Sequence, residues 1–238
     1  MFKLNESTRR EIKFKVFIND IGKLYSWLYS QSFKKSYDDR CVNSIYYDTP
    51  NLDFANDNII GQSNRIKIRA RWYSKIKENV FKDFTKTNKN YKFEIKRKIN
   101  RHSDKIVFPK ITSSLKNSIN QRKIFLKQQL KLKLTNFKKL SSFILQDIVY
   151  VGYKREYYEH TLNPKLRFTI DKDIFCSLSN NFQNKKTMHL SKDFLIAEIK
   201  IQEKDENEIK DILNTLPFRQ NRSSKYLYAI SYLKGFNY

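Results

Sequence analysis

The sequence predicts an α+β fold in which about eight antiparallel strands close into a barrel, with helices packed outside it. Three segments alternate charged and apolar residues with a period of two, the pattern of a strand with one ionic and one apolar face. Helical patterns follow the first strand and end the chain. The 238 residues include 39% hydrophobic residues and show no repeat or linker, so we expect a single domain over 1–238.

The three alternating segments lie at 9–18, 65–73 and 92–99. Their charged faces carry Arg9, Glu11, Lys13 and Lys15 in the first, Arg65, Lys67, Arg69 and Arg71 in the second, and Lys92, Glu94, Lys96 and Lys98 in the third. The opposite faces are apolar, although Arg97 interrupts the last one. Each segment is therefore predicted to be a strand that buries only one face.

The remaining elements follow in chain order. Further strands are predicted at 40–48, 147–159, 166–176 and 194–201. Helices are predicted at 20–31, 206–215 and 223–235, the first after Asp20 and the last after Ser223 or Ser224 as N-cap. The Lys- and Leu-rich stretch 113–145 lacks alternation and predicts a helical insertion with a basic exposed side. The polar stretch 74–91 predicts the tip of a hairpin.

The chain is strongly basic. Its 48 Lys and Arg oppose 24 Asp and Glu, which gives a formal charge of +24. Such a charge attracts polyanions, whether nucleic acid, anionic lipid or phosphate compounds. A composition rich in Lys, Asn and Ile would also scatter lysines over the surface, so the charge must be judged by its position in the strands.

Scarce residue types exclude several classes of protein. The 4 Gly and 4 Pro argue against a Rossmann or P-loop enzyme, which needs a Gly-rich phosphate loop. Cys41 and Cys176 form no Cys-x-x-Cys motif, and His102, His160 and His189 lie far apart, so the sequence offers no zinc site. There is no apolar run of a signal peptide or a transmembrane helix, and we expect a soluble, cytoplasmic protein.

The four like charges on one face of 65–73 lie within about 20 Å and repel one another. They fit one of two arrangements. In a half-exposed sheet they would face water. In a barrel, the ionic faces of several strands would converge on a polyanion, and this is the interpretation we favour. A chain of phosphates suits such an interior because the planar fork of Arg binds two oxygens at once.

Carboxylates also occupy the ionic faces, at Glu11, Glu94, Asp171 and Glu198. A carboxylate repels phosphate directly, but it can hold Mg²⁺ or Mn²⁺ that bridges to phosphate. The alternative is a neutralising ion pair with a cross-strand Lys or Arg. The metal is favoured for Glu94 and Glu198, and both alternatives stay open for Glu11 and Asp171.

Eight motifs occur in a familiar order: Arg9-x-Glu11-x-Lys13, IYYDTP (45–50), RIKIRARWY (65–73), FEIKRK (93–98), YKREYY (153–158), LRFTID (166–171), AEIKI (197–201) and SSKYLYAI (223–230). Together they span about residue 7 to 235. This arrangement resembles the VTC polyphosphate polymerase domain, a triphosphate tunnel metalloenzyme related to the CYTH hydrolases. The resemblance is to the stand-alone bacterial form, without the sensor domain and membrane segment of the eukaryotic members.

The resemblance implies an eight-stranded antiparallel closed barrel, the triphosphate tunnel, with a closing C-terminal helix. The matching phosphate-binding positions are Lys13, Arg69, Arg71, Lys96, Arg155 and Arg167. Glu198 matches the metal-binding glutamate, with Glu11, Glu94 and Asp171 as further candidates for Mn²⁺ or Mg²⁺. Lys200 follows on the same face, and Lys225 matches a lysine of the closing helix. We expect Arg9, Arg65, Lys67 and Tyr153 to line the path of the substrate.

The implied function is an ATP-dependent polyphosphate polymerase that acts on ATP and inorganic polyphosphate. The CYTH hydrolases begin with Glu-x-Glu-x-Lys, whereas this chain has Arg9 in the first position, which favours transfer over hydrolysis. One alternative is a triphosphate hydrolase of the same fold. Another is a polyphosphate- or RNA-binding module without catalysis, in which tyrosines such as Tyr73, Tyr91, Tyr153 and Tyr157 stack on bases. We expect no specific nucleic acid partner, and a membrane-protein partner stays open.

Overall fold

The computed structural model describes residues 9–75, 92–99, 102–107, 144–179, 188–202 and 210–235. The strands are β1 (Arg9–Phe17), β2 (Phe33–Asp48), β3 (Asn64–Lys75), β4 (Lys92–Ile99), β5 (His102–Val107), β6 (Gln146–His160), β7 (Arg167–Leu178), β8 (Met188–His189) and β9 (Phe194–Gln202). The helices are α1 (Ile21–Ser30), α2 (Asp53–Ile59), α3 (Lys210–Asn214) and α4 (Lys225–Lys234), and a 3-10 turn covers Ile18–Asp20. Among these helices, none has the length and apolar character needed to cross a membrane.

The strands form one antiparallel sheet in the order β1-β9-β7-β6-β2-β3-β4-β5, with β8 paired to β7. The predicted strands all form, although β2 begins at Phe33, well before the predicted 40–48. The strands β5 and β8 and the helix α2 were not predicted. Of the predicted hairpin tip at 74–91, only 74–75 belong to the described residues. Of the predicted helical insertion at 113–145, only 144–145 do.

The predicted α+β antiparallel sheet is confirmed, but its closure into a barrel is not. In the described part of the chain, β1 and β5 are the edges of the sheet and share no backbone pairing. The free edge of β1 is instead occupied by the segment before α4. Gln220 bridges to Phe14, and the backbone N–H of Asn221 donates to the carbonyl of Lys13 at 2.8 Å. A strand edge bonded in this way has no free backbone groups at that point for a closing partner.

The outer face of the sheet is covered by α1, as the prediction of outside helices requires. Leu24, Trp27 and Leu28 of α1 pack on apolar residues of β1, β7 and β9. These are the residues that alternate with the ionic ones, such as Ile12 and Phe14. The buried apolar face therefore fixes the ionic residues of the same strands on the opposite, inner face.

The helix α4 lies against that inner face. Ser224 caps its N-terminus by accepting from the backbone N–H of Leu227, which confirms one of the two predicted caps. Tyr226 stacks on Tyr46 of β2 at 4.8 Å between ring centroids, and its hydroxyl donates to the buried carboxylate of Asp48 at 2.5 Å. Further apolar residues of α4 pack on β6, β7 and β9, so this helix covers one part of the inner face.

Candidate functional site

The inner face carries a group of charged side chains beside the N-terminus of α4, and we call the space they surround the bore. Residues of β1, β3, β4, β5, β6, β7, β9 and α4 contribute: Glu11, Lys13, Lys67, Arg69, Arg71, Glu94, Lys96, Lys105, Arg155, Asp171, Glu198, Lys200 and Lys225. Cations outnumber carboxylates in this group. The convergence of the ionic faces that the alternation predicts is therefore present in the structure.

One ion-pair cluster centres on Asp171 of β7, which is fully buried. Arg155 donates to both carboxylate oxygens, at 2.5 and 2.8 Å, and Lys225 of α4 donates to one of them. Burial raises the pKa of Asp171, but the charges and hydrogen bonds of these two cations outweigh it and lower the pKa to about 2. Both cations also lie over the ring of Tyr153, at 5.2 and 4.7 Å from its centroid. The cluster holds α4 against β6 and β7 and fixes the guanidinium of Arg155.

A second cluster centres on Glu94 of β4, which is also buried. Arg69 lies directly opposite on β3 and donates to it at 2.7 Å, and Lys105 of β5 approaches the other oxygen at 2.7 Å. Burial raises the pKa of Glu94, and the nearby cations outweigh it and lower the pKa to about 2. A further N–H of Arg69 donates to the hydroxyl of Tyr46 at 3.3 Å.

Arg71 differs from Arg69 and Arg155 in its partners. It is 6% exposed, and it donates to the hydroxyls of Ser44 at 3.3 Å and Tyr153 at 3.1 Å. Its charge also lowers the pKa of Tyr73 despite the burial of that hydroxyl. Within the ranges that the structure describes, no carboxylate lies within ion-pair distance of its guanidinium. A buried cation usually has an anionic partner, so Arg71 is well suited to receive an anion from solution.

Lys67 is the other cation whose surroundings favour an anion. Its ammonium donates to Ser224 at 2.9 Å, at the cap of α4. Burial, followed by the charges of Lys13, Lys96, Arg65 and Arg69, lowers its pKa well below the ordinary value. A bound anion would favour the protonated form of Lys67, because it offsets the repulsion among the cations.

The carboxylates of Glu11 and Glu198 lie close enough for their charges to interact. Burial raises the pKa of each, but surrounding lysines outweigh it and keep both below the ordinary range, so both are ionised at neutral pH. Lys96 contacts Glu11 at 2.5 Å, and Lys200 lies 3.6 Å from Glu198.

This pair is the part of the bore that fits a divalent metal. Among the described residues, no three Asp, Glu, His or Cys come together to form a complete metal site. Mg²⁺ and Mn²⁺ at phosphate sites are often held by only one or two carboxylates, with phosphate oxygens and water as the other ligands. Glu11 and Glu198 fit that arrangement. Glu94 and Asp171 are each held between two cations, which is the ion-pair alternative, whereas Glu11 and Glu198 each contact one lysine among the described residues.

The other predicted site residues are placed less centrally. Arg167 begins β7 opposite Lys200 and is exposed, and the structure shows no contact that draws it into either cluster. Arg65 lies near the start of β3, and its side chain donates to the carbonyl of Gln62 at 2.9 Å. Its charge acts on Lys98 of the neighbouring strand β4. Arg9 begins β1, and its side chain is outside the described part of the structure.

Three bore residues were not predicted. Lys105 lies on β5, whose sequence HSDKIV gives no apolar alternation that would indicate a strand. Tyr46 and Ser44 present hydroxyls to Arg69 and Arg71. Ser44 and Tyr46 are two residues apart in β2, and alternate residues of a strand share a face. This spacing could have indicated that both hydroxyls lie on the inner face.

The family model of the VTC domain matches residues 8–234. This chain belongs to the VTC domain family. The match confirms the resemblance inferred from the eight motifs. A comparison with curated proteins gives no match.

Several solved structures resemble this VTC domain. The Schizosaccharomyces pombe Mediator head module has a TM-score of 0.52 and 8% identity, over 90% of this chain and 97% of that one. The Hippeastrum protein HpAC1, named as an adenylyl cyclase with a dominant triphosphatase activity, has a TM-score of 0.48 and 13% identity, over 95% and 96%. A Vibrio parahaemolyticus protein named as an adenylate cyclase has a TM-score of 0.48 and 11% identity, over 91% and 96%. At these identities the likeness concerns the fold alone.

Proposed function

We propose that this VTC domain transfers the γ-phosphoryl group of ATP to a phosphate or polyphosphate acceptor within the bore. Membership of the VTC family supports an enzyme that handles phosphoryl groups. The observation that carries the proposal is Arg71, a buried guanidinium whose hydrogen-bond partners among the described residues are neutral hydroxyls, while the charge of Glu94 acts on it only from beyond ion-pair distance. The repulsion around Lys67 adds to it, because both cations gain from a polyanion in the bore.

The remaining arginines are positioned in advance. Asp171 binds Nε and one terminal nitrogen of Arg155, and Glu94 binds the same pair of atoms of Arg69. The carboxylates therefore fix the planes of both guanidinium groups and leave other N–H donors for phosphate oxygens. Such preorganised donors cost little reorganisation when charge develops in the transition state.

In this mechanism, the terminal oxygen of the acceptor phosphate attacks the γ-phosphorus of ATP in line. The new P–O bond forms as the bond to the β-phosphate oxygen breaks, and ADP leaves with that oxygen. Arg69, Arg71 and Arg155 stabilise negative charge on the transferred group. No protein nucleophile is required, and Cys41 and Cys176 are both buried.

Glu11 and Glu198 would hold Mg²⁺ or Mn²⁺, which would neutralise negative charge that develops on the phosphates. Lys13 and Lys200 lie beside this pair, and the carboxylates raise the pKa of Lys13 despite its burial. Lys13 thus stays protonated beside the carboxylates that would hold the metal.

The test is incubation of the full chain with ATP and Mn²⁺, followed by gel analysis of the polymer and assay of orthophosphate. We expect chains longer than the substrate. Arg71→Ala is expected to lower the rate by about 10²–10³-fold, as for loss of one preorganised donor to a developing charge. Glu198→Gln is expected to lower the rate at every Mn²⁺ concentration.

The matched control is Lys154→Ala, because Lys154 lies on the outer face of β6, is exposed, and pairs with Asp173 at 2.8 Å. It should leave the rate unchanged. Orthophosphate as the only product would identify the hydrolase instead. Binding that survives EDTA without consumption of ATP would identify a binding module. An unchanged rate in Arg71→Ala would show that the site is wrongly assigned.

A further inference from the structure

The end of the bore away from α4 carries a group of aromatic side chains. On β3, Lys67 contacts the cap of α4, and Arg69, Arg71 and Tyr73 follow on the same face at increasing distance from it. On β6, Val151 packs in the cluster around α4, and Tyr153, Arg155 and Tyr157 follow. Each strand therefore places a tyrosine two residues beyond the arginine that we assign to phosphate.

Tyr37 and Arg40 of β2 join these tyrosines. The rings of Tyr37 and Tyr157 meet edge to face at 5.9 Å between centroids. The guanidinium of Arg40 lies 5.7 Å from the first centroid and 5.8 Å from the second. We call Tyr37, Arg40, Tyr73 and Tyr157 the aromatic rim.

The aromatic rim is only partly covered by protein. Tyr37 is 53% exposed and Tyr73 is 43% exposed, and Arg40 is also exposed. Within the described ranges, Arg40 contacts the two rings and has no carboxylate at ion-pair distance. Exposed ring faces beside an unneutralised guanidinium are the features that bind flat aromatic ligands by stacking and cation–π contact.

The rim is also linked to the phosphate-binding residues. The charge of Arg71 acts on Tyr73, two residues further along β3, and the charges of Arg155 and Arg40 both act on Tyr157. Two residues of a strand span about 6.6 Å. That span is comparable to the ribose that separates a base from its first phosphate.

We propose that the aromatic rim binds the base of a nucleoside triphosphate whose phosphates extend along Arg71 and Arg155 toward α4. This inference rests on the proposed function, because it assumes that the bore receives the phosphates. It adds an orientation: the nucleoside enters at the rim, and the terminal phosphate lies toward Lys67 and Glu198. Stacking engages the ring faces, so the rim accepts purine bases in general.

The experiment compares two nonhydrolysable ligands that differ in the nucleoside. Adenylyl imidodiphosphate and imidotriphosphate are titrated into the full chain with Mg²⁺ by calorimetry. Tyr157→Ala and Tyr37→Ala are expected to weaken the nucleotide about tenfold, in line with the loss of one stacked base, and to change imidotriphosphate binding less than about twofold. Tyr157→Phe keeps the ring and should bind both ligands as the native chain does.

Tyr29→Ala is the matched control, since Tyr29 lies on α1 and is 87% exposed. It should affect neither ligand. Equal weakening of both ligands by Tyr37→Ala and Tyr157→Ala, or no weakening of the nucleotide by either variant, would overturn the base site and leave the proposed function intact. If the native chain binds neither ligand, the proposed function itself fails, and the inference fails with it.

Discussion

Lys96 of β4 contacts Glu11 of β1 at 2.5 Å, across the seam where the two edges of the sheet approach each other. The backbones of the edge strands β1 and β5 do not pair in the described residues, so this contact joins the two sides through side chains. The seam therefore belongs to the bore, and its charges are shared between structure and function. Glu11 binds Lys96 on one side and is repelled by Glu198 on the other.

The contribution of the seam can be measured by a double-mutant cycle of Glu11→Gln and Lys96→Met. Both side chains are partly exposed, at 26% and 34%, so we expect a coupling of about 0.5–1 kcal/mol in the free energy of unfolding. Urea unfolding at low salt provides the measurement. The coupling should shrink at 1 M NaCl, roughly as screening predicts. A coupling of zero at low salt would mean that the seam is not held by this pair.

Replacement of Asp171 by Asn should be among the most destabilising single changes in the bore. It leaves the buried Arg155 without its carboxylate partner, which costs about 3–5 kcal/mol in comparable buried pairs. Asp173→Asn is the matched control, because its pair with Lys154 is exposed and should contribute less than about 1 kcal/mol. Chemical unfolding of both variants gives the comparison. If both variants lose the same free energy of unfolding, burial of the Asp171 cluster does not add to stability.

The same carboxylates predict how stability depends on pH. Asp171 and Glu94 have a pKa of about 2 in the folded protein, below the ordinary values of 3.8 and 4.5. A carboxylate whose pKa is lowered by folding stabilises the folded protein fully when the pH is above the ordinary pKa. This stabilisation is lost as the pH falls through the pKa of the folded protein. We expect the urea midpoint to fall between pH 4.5 and 2, with a shallower fall in Glu94→Gln. An equally steep fall in that variant would contradict the assignment.

The sequence predicts the strands and α4 because alternation and capping are local signals. It does not predict the partners of the carboxylates, since these depend on register. Glu94 was favoured as a metal ligand, yet the register places it directly opposite Arg69. Asp171 lies opposite Arg155 in the same way.

Closure of the sheet is a second feature that local patterns do not determine. The sequence pattern of β1 is the same whether its free edge binds a strand or the segment at Gln220. That pairing joins residues far apart in the chain, and the periodicity of the sequence therefore does not predict it.

Binding of a polyanion should be accompanied by proton uptake. Burial and neighbouring cations lower the pKa of Lys67, and an anion in the bore raises it again, so the neutral amine fraction of Lys67 takes up a proton on binding. Calorimetry of imidotriphosphate in buffers of different ionisation enthalpy measures this uptake. Lys67→Met should reduce it, and Lys154→Ala should not. Proton release in the native chain would contradict the role of Lys67.

Gly152 of β6 should tolerate no side chain, although nothing in its sequence context marks it. A Cβ at this position would lie 2.4 Å from a ring carbon of Phe175 and 2.7 Å from the hydroxyl of Tyr150. Tyr150 cannot easily move, because it is fully buried and donates to Asn43 at 2.5 Å. Gly152→Ala is therefore expected to destabilise the protein by about 1–3 kcal/mol, as overpacking does.

Gly22 of α1 provides the contrast, because a Cβ there would meet no atom within 4 Å. Gly22→Ala should be neutral or stabilise by up to about 1 kcal/mol, since alanine is the better helix former. Thermal unfolding of the two variants measures both effects on the same chain. Equal melting temperatures would mean that the rings of Phe175 and Tyr150 can repack around a methyl group. A lower melting temperature only for Gly152→Ala would show that Phe175 and Tyr150 are packed rigidly against β6.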